Sequence, residues 1–502
     1  MRIRLAVPKD EFFTLSRMRG VVMAALAVSS ARGRLRVLVN DSGDPATAGE
    51  IEYFRRIIRW LDLCRPDDIR FQSRFLVRYR EAAARFITGG AAYCDAPDRD
   101  GRRSVRFRLP PPERIGSVLR SAGPVDLPLD PKAPVIVSNR GVRFSRAGMR
   151  RRSAALAGMH DLTLLDDAGT ILFRLNDELD EILRGGVSRI RGASKAVFTR
   201  FQVVCSDMLF HNEQPVPLDS LSDPILLDGG GLPTDLLANT LDDIVFGTSA
   251  VFRPTGDPMA AAQQTLLFAA LGYPPPAVVE LPPVTPDEPG VDRLRREGYL
   301  PDAVISVLAQ TGYTTGQRPA RRSVNALIER FKLDRISARP AVFDREFLIR
   351  HNREDLHDLP PETFAFRAAP FCRPLSSRPD YPQLAALMQP LTACLADARR
   401  WPLIFCQWDI SPEERERRRP ENETYREALR AFADELDRLA EADAAEIRQL
   451  LNELEHRYDL VRGTLRRPIT LALTGLEIDP DVALLVRLLG PGEAASRLRD
   501  IL

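Results

Sequence analysis

Residues 465–502 read LRRPITLALTGLEIDPDVALLVRLLGPGEAASRLRDIL and close a long region with helical patterning. The stretch holds a leucine-rich helix from Leu484 to Gly490. Upstream, Thr424 and Glu427 have the spacing of a capping box. Two apolar stripes follow at helical spacing: Tyr425, Leu429, Phe432, Leu436 and Leu439, then Ile447, Leu450, Leu451, Leu454 and Tyr458. Such stripes indicate the core of a helical bundle rather than ligand contacts.

The other end of the chain has a different pattern. Ile3, Leu5 and Val7 alternate with other residues and predict a short strand, and Leu35–Val39 predicts a second one. Between them, the stretch from Met18 to Ala31 is rich in apolar residues compatible with a helix. A strand, a helix and a strand at the start of a long chain indicate a doubly wound α/β domain.

The composition is that of a soluble protein with several domains. The chain has 502 residues, of which 44% are hydrophobic, enough for about three or four domains with their own cores. A formal net charge of +2 argues against a general polyanion binder and leaves room for a local basic face. Positive charge is nearly all arginine, since the lysines are Lys9, Lys132, Lys195 and Lys332.

The cysteines give no sign of a disulfide framework or a metal site. They are scattered singly without a CxxC pair, which indicates reduced thiols and a cytoplasmic protein. Cys94 stands alone, so we expect no zinc there, because tetrahedral zinc needs about four ligands. The sequence has neither a signal-peptide core nor an apolar run of roughly 18 residues, so we expect no secretion and no membrane contact.

The carboxyl-terminal stretch resembles the last segment of bacterial-type glutamyl-tRNA synthetases, which are class I aminoacyl-tRNA synthetases. Pro468 to Gly475, Asp479-Pro480, Leu484 to Gly490 and Arg497-Leu498 carry this resemblance. Residues 1–95 and 233–502, about three quarters of the chain, resemble the same family. The resemblance implies a fold of α/β plus all-α type. A Rossmann-like core split by an insertion is followed by a stem-contact region and a helical anticodon-binding domain.

The amino-terminal block lacks residues that do the family's chemistry. Thr14, Leu15, Ser16 and Arg17 replace the HIGH-type signature, whose histidine and glycines let ATP phosphates approach the head of a helix. Arg17 restores a positive charge but fills space that glycine leaves open. We therefore assign no catalytic role to these degenerate positions.

Four positions are candidates for substrate binding by resemblance. Arg4, Asn239 and Arg253 fall on amino-acid-binding positions, and Asn40 replaces the glutamate expected to hold the substrate's ammonium. An amide accepts a hydrogen bond but supplies no countercharge. The resemblance implies that Arg4 and Arg253 converge as a clamp for a carboxylate, such as a modified glutamyl moiety or another small dicarboxylate. The alternative for each arginine is an ordinary ion pair.

The family's lysine-bearing KMSK loop is also missing. About ten residues are deleted after Leu281-Pro282, and no lysine lies between Lys195 and Lys332. Further along, residues 321–356 resemble the family's stem-contact segment, which links its catalytic and anticodon-reading halves. The resemblance to the family therefore continues beyond the altered active-site motifs.

The resemblance divides the chain into five expected segments. They are the two halves of the Rossmann-like domain at 1–95 and 233–292, a poorly assigned acceptor-binding-like insertion at 96–232, a stem-contact-like region at 293–370 and a helical anticodon-binding-like domain at 371–502. Pro-rich stretches at 110–112, 274–289 and 360–361 are candidate linkers. The basic run of Arg146, Arg150, Arg151 and Arg152 either contacts tRNA phosphates or is a solvated face.

Together these features predict a divergent paralogue, a pseudoenzyme that is impaired in ATP-dependent charging. It would retain binding of tRNA or glutamyl-tRNA in a biosynthetic or regulatory role. One alternative is an active glutamate–tRNA ligase with substitute residues, which would require ATP and magnesium. Another is a structural subunit whose former tRNA faces bind a protein partner.

Overall fold

A computed structural model describes residues 1–63, 65, 68–109, 115, 118–146, 149, 151–208, 213–286, 290–314, 323–439 and 443–502. The linker predicted at 110–112, Arg150 of the basic run, the end of the 274–289 linker and the first two residues of 321–356 lie outside this range. The chain forms two compact units, Met1–Gly290 with Leu308–Phe343, and Val291–Val307 with Asp344–Leu502. The five segments stay a prediction.

Within the described residues, all the strands belong to the first unit. In chain order they are β1 (Arg2–Pro8), β2 (Arg34–Asn40), β3 (Ile69–Phe71), β4 (Ala92–Cys94), β5 (Val105–Phe107), β6 (Leu119–Pro128), β7 (Val135–Ser138), β8 (Gly141–Phe144), β9 (Arg152–Ala154), β10 (His160–Leu165), β11 (Ile171–Arg174), β12 (Val187–Ile190), β13 (Lys195–Ser206), β14 (Glu213–Pro217), β15 (Ile225–Leu227), β16 (Ala250–Pro254), β17 (Ala277–Leu281), β18 (Val284–Thr285) and β19 (Ala341–Val342).

Helices are found in both units. The first nine are α1 (Leu15–Ser30), α2 (Ala48–Leu61), α3 (Leu76–Thr88), α4 (Leu175–Leu183), α5 (Asp235–Phe246), α6 (Pro258–Ala270), α7 (Val291–Glu297), α8 (Pro301–Gln310) and α9 (Val324–Arg330). The second unit continues with α10 (Arg345–His357), α11 (Pro361–Ala368), α12 (Arg373–Ser376), α13 (Tyr381–Met388), α14 (Trp401–Cys406), α15 (Pro412–Arg418), α16 (Glu423–Arg438), α17 (Ala444–Arg457), α18 (Arg466–Thr474), α19 (Val482–Leu489) and α20 (Pro491–Ile501).

The predicted strand, helix and strand at the amino terminus are β1, α1 and β2. They belong to a parallel five-stranded sheet in the order β17-β16-β1-β2-β3. Gly33, in the turn before β2, is required because a Cβ there would lie 2.3 Å from the Met1 carbonyl oxygen. This sheet confirms the doubly wound α/β core.

Helix α1 is held in place by a buried arginine. Arg19 donates to the carbonyl oxygens of Pro282 and Thr311, each at 2.8 Å, and of Gly312 at 3.4 Å. Burial lowers the pKa of its guanidinium to about 10, so it stays charged at neutral pH. Gly312 has φ of +67°, and a Cβ there would lie 2.8 Å from Arg19 Nη2. Arg19 and Gly312 therefore form one tightly fitted contact.

The insertion between the two halves of the sheet is built mainly of antiparallel strands. The long strand β13 pairs with β6, β10 and β14, while a separate sheet has the order β12-β7-β8-β9. Their apolar faces share a core that includes Val137, Leu164 and Phe198. The antiparallel sheet β15-β5-β4 packs in another core, which includes Tyr79 of α3 and Leu237 of α5.

The buried carboxyl group of Asp223 gives a pH-dependent prediction. It accepts hydrogen bonds from Tyr93 Oη and the Leu109 amide, both at 3.0 Å, and burial raises its pKa above the usual 3.8. The folded state then binds this proton more tightly, so its contribution to stability falls as pH rises from 3.8 through the folded pKa. We expect Asp223→Asn to equal or exceed the wild type at pH 7.5, by at most about 1 kcal/mol, and to lose this advantage towards pH 4.5.

Thermal unfolding of both proteins across that pH range measures the effect. Asp167→Asn, at an exposed carboxylate of the same unit, is the matched control. A variant that is equally destabilised at every pH would show that hydrogen bonds to the carboxylate outweigh its burial.

The second unit is helical throughout its described residues. Its core takes in the two stripes predicted from sequence, including Leu429 and Phe432 of α16 and Leu454 of α17. Asp443 forms a capping box with Glu446 at the head of α17. The capping box expected at Thr424 and Glu427 is not formed, because α16 begins two residues earlier than that box requires and Asn422 caps it. The last stretch of the chain forms α18, α19 and α20.

Candidate functional site: a cavity at the sheet edge

The four candidate substrate-binding residues lie together at one edge of the parallel sheet. Arg4 is on β1, Asn40 ends β2, Arg253 is on β16 and Asn239 is on α5. All four line one cavity of about 360 Å³, with Arg17 of the degenerate signature. Open α/β sheets bind ligands at the carboxyl ends of their strands. The structure thus places the candidates in one site, and their role in binding stays a prediction.

Arg4 is not available as half of an open clamp. Its Nε and Nη2 donate to the two carboxylate oxygens of Asp243 at 2.9 and 2.6 Å. The side chains are only 4% and 1% exposed. A pair removed from water to this degree is costly to break, because either partner alone would be a buried, uncompensated charge.

Arg253 is paired as well. Its Nη2 donates to Glu280 Oε1 at 2.7 Å, across the neighbouring strands β16 and β17, where the two residues are direct partners in register. The structure therefore differs from the expected carboxylate clamp. The two arginines reach the same cavity, but each is neutralised by a carboxylate of the chain itself. The ion-pair alternative describes them better.

The head of α1 is also occupied by the chain's own side chains. Thr14 caps the helix by accepting from the Arg17 amide, and Leu15 is fully buried. Ser16 Oγ accepts from the Val284 amide at 2.9 Å. Arg17 donates from Nε to Glu11 Oε2 at 2.7 Å, and its Nη2 contacts the same oxygen. An ion pair thus lies at this helix terminus.

The two asparagines of the cavity differ in their partners. Asn239 Oδ1 accepts from Gln72 Nε2 at 3.0 Å, which ties α5 to the segment after β3. Asn40 Oδ1 is buried and accepts no hydrogen bond from any described residue. The neighbouring Asp41 holds the turn after β2 through the amides of Ala46 and Ser73. Among the described residues of the cavity, Asn40 Oδ1 and Arg253 Nε are thus buried polar atoms without a hydrogen-bond partner.

Sequence reasoning missed the carboxylates that neutralise the arginines. These carboxylates are Asp243, Glu11 and Glu280. Glu280 is the one charged residue of β17, so an unexplained charge inside an apolar strand was the available signal. Asp235, at the start of α5, and Asp257, which caps α6, also line the cavity.

The described residues contain neither a group of metal ligands nor a membrane-spanning helix. Among the described residues, no three His, Cys, Asp or Glu side chains are grouped so that they could hold a metal ion. In the same part of the chain, no helix is long and apolar enough to cross a bilayer. The cytoplasmic location stays a prediction.

Comparison with known proteins agrees with this architecture. Residues 363–502 match the family model described as an anticodon binding domain. The chain is 26% identical over 302 residues to the glutamate–tRNA ligase of Carboxydothermus hydrogenoformans, covering 56% of this chain and 63% of that protein. It is 30% identical over 276 residues to that of Akkermansia muciniphila, covering 52% and 63%. The matches thus span just under two thirds of these relatives' lengths.

A solved glutamate–tRNA synthetase from Elizabethkingia anophelis has the same fold. The structures superpose with a TM-score of 0.65 and 17% identity, covering 100% of this chain and 99% of that one. The parallel core with its insertion and the helical carboxyl-terminal region define a class I aminoacyl-tRNA synthetase fold. Within that class, the chain belongs to the glutamyl-tRNA synthetase family. The recognition made from sequence is confirmed.

Proposed function

We propose that this chain is a glutamyl-tRNA synthetase-like protein that binds tRNA or glutamyl-tRNA and does not activate glutamate with ATP. Its role is then biosynthetic or regulatory, as a carrier or sensor of the RNA rather than as a ligase. The ion pair between Glu11 and Arg17 at the head of α1 carries the proposal. It supports the loss of nucleotide binding, while the charge distribution supports RNA binding.

The helix head does not fit a nucleoside triphosphate. A helix amino terminus attracts phosphates through its free amides and positive dipole end. Here Thr14 Oγ already accepts from the Arg17 amide, and the Glu11 carboxylate adds a negative charge beside the adjoining cavity of about 210 Å³. A carboxylate at this place repels phosphate oxygens. ATP and magnesium therefore have no role in the proposed function.

Charge is unevenly divided along the chain. Residues 344–502 contain 23 arginines, no lysine and 29 aspartates and glutamates, a formal charge of −6, which leaves +8 on residues 1–343. Arginines of the helical unit are frequently paired within it, as Arg418 is with Glu414 and Arg448 with Asp481. The helical unit is thus a poor general surface for a polyanion.

A basic sheet face in the insertion is a better RNA contact. Arg189 of β12 and Arg143 of β8 are exposed and flank Ile136 of β7 in adjacent register. Arg140 and Arg151 are exposed at the turn and the edge of the same sheet. Among the described residues, none of these four arginines forms an ion pair with a carboxylate. Unpaired guanidinium groups bind phosphates bidentately and release counterions.

The test is tRNA binding at several salt concentrations. We expect wild-type binding to weaken steeply with salt, because counterions return to the RNA. Arg143→Glu with Arg189→Glu should weaken binding by roughly tenfold or more and lower the slope of log affinity against log salt by about 2. Titration of a fluorescently labelled tRNA measures both quantities.

Arg462→Glu with Arg466→Glu is the matched control in the helical unit, at two exposed arginines. A larger loss of tRNA affinity with this control pair would indicate that the RNA contact lies on the helical unit. Absence of binding even at low salt, with the fold intact, would contradict the proposal and favour a structural subunit that binds protein.

A further inference from the structure

We propose that one face of the parallel sheet is a docking surface for an acidic segment of a partner protein. Four arginines form this arginine face: Arg2 on β1, Arg34 and Arg36 on β2, and Arg70 on β3. Arg2 and Arg34 begin their strands, at the end of the sheet opposite to the cavity. The inference goes beyond the proposed function and does not depend on RNA binding.

The register of the strands puts these arginines on the same side of the sheet. Side chains alternate between the two faces of a strand, and residues in register share a face. Arg2 is the partner of Arg34, and Arg70 is the partner of Leu38, two residues after Arg36. Parallel sheets are usually apolar on both faces, because helices cover both. A sheet face that carries this many arginines therefore needs a physical reason.

The end of α5 holds two of the arginines in position. Arg2 Nη1 donates to the Phe246 carbonyl oxygen at 2.9 Å, and the guanidinium carbon of Arg36 lies 4.0 Å from the centre of the Phe246 ring. Gly247 follows with φ of +65°, and a Cβ there would lie 2.7 Å from Arg2 Nη1. These guanidinium groups are thus ordered before a partner arrives, which lowers the entropic cost of binding.

The chain itself leaves the charge of the arginine face uncompensated. Within the described residues, none of the four arginines forms an ion pair with a carboxylate. Burial lowers the pKa of the Arg36 guanidinium, and the like charges of Arg70 and Arg78 lower it further. The carboxylates of Asp242 and Asp68 oppose this effect, but Asp242 is already paired with Arg78. An anionic partner would relieve the remaining repulsion.

Exposed apolar side chains next to these residues favour a protein over a nucleic acid. Val245, which precedes Phe246 on α5, is 62% exposed, and Val77, which precedes Arg78 on α3, is 68% exposed. A phosphate backbone offers such valines no apolar contact, whereas a protein segment can cover them and supply carboxylates as well. Protein interfaces are rich in arginine, whose fork binds a carboxylate through two hydrogen bonds. The partner that fits is therefore an acidic segment with interspersed apolar residues.

Fluorescence anisotropy of two labelled peptides tests the proposal on the full chain. One peptide is rich in glutamate with interspersed leucines, and the other has glutamine at every glutamate position. We expect only the glutamate peptide to bind. Arg34→Glu with Arg70→Glu should weaken its binding by roughly tenfold or more, because like charges then face each other. Val245→Ser should weaken it by about threefold through the lost apolar contact.

Arg143→Glu with Arg189→Glu, at exposed arginines of the other basic surface, is the matched control and should change the peptide affinity by less than about twofold. Thermal unfolding shows whether each variant keeps its fold. No binding of the glutamate peptide, an equal loss in both arginine pairs, or unchanged affinity in Val245→Ser would each overturn the proposal. Labelled oligouridylate is the last probe. Tighter binding of this RNA than of the glutamate peptide, lost in Arg34→Glu with Arg70→Glu, would assign the arginine face to nucleic acid instead.

Discussion

Purified protein is expected to catalyse glutamate- and tRNA-dependent exchange of pyrophosphate with ATP at least about a thousandfold more slowly than an ordinary glutamate–tRNA ligase. One preorganised contact to developing charge is commonly worth about 3 kcal/mol, or on the order of a hundredfold in rate. Here the helix head holds the pair of Glu11 and Arg17, and no lysine lies between Lys195 and Lys332. The proposed function implies that several such contacts are absent together, although their effects do not add simply.

The exchange assay should include an active ligase as a positive control and a range of ATP and glutamate concentrations. Raising the concentrations distinguishes weak substrate binding from a lost chemical step, since only the former recovers at saturation. Turnover within about tenfold of the active ligase would contradict the proposed function and favour the alternative of an active enzyme with substitute residues.

Breaking the buried pair of Arg4 and Asp243 should be the most destabilising single change near the cavity. We expect Arg4→Met to lower the stability of the first unit by about 3 to 5 kcal/mol, because Asp243 is left as a buried, uncompensated charge. Hydrogen exchange of the amides in β1 and β2 measures the free energy of opening in this unit alone.

A double-mutant cycle separates the pair from its surroundings. Arg4→Met with Asp243→Leu removes both charges and should recover much of the loss, because apolar groups can replace a buried pair. Arg34→Met, at an exposed position on β2, should stay within about 0.5 kcal/mol of the wild type. Equal exchange in Arg4→Met and the wild type would show that the pair contributes nothing to stability.

The parts of the fold that follow from local sequence patterns could be predicted. Alternation at Ile3, Leu5 and Val7 and the apolar run from Met18 were enough to place β1 and α1, since each pattern reflects burial of one element. Resemblance at both ends of the chain identified the family. The sheets of the insertion could not be predicted from the sequence. They depend on pairings such as β6 with β13, which lie far apart in sequence and leave only short, weak local patterns.

Whether the site arginines form ion pairs was harder to predict from the sequence. Resemblance placed Arg4, Asn40, Asn239 and Arg253 in one cavity, and the structure has them there. Whether an arginine is open or neutralised depends on strand register and on residues such as Glu280, which becomes its partner only when β16 and β17 lie side by side. No single-sequence pattern carries that information, because it is a property of two strands together.

The contact of Arg19 fixes α1 through main-chain acceptors alone. Arg19 donates to the backbone carbonyl oxygens of Pro282, Thr311 and Gly312, which are present whatever the side chains are. The position of α1 thereby depends on the path of the backbone at these three residues and not on their side chains. A change of side chain at Thr311 therefore leaves this acceptor of Arg19 in place.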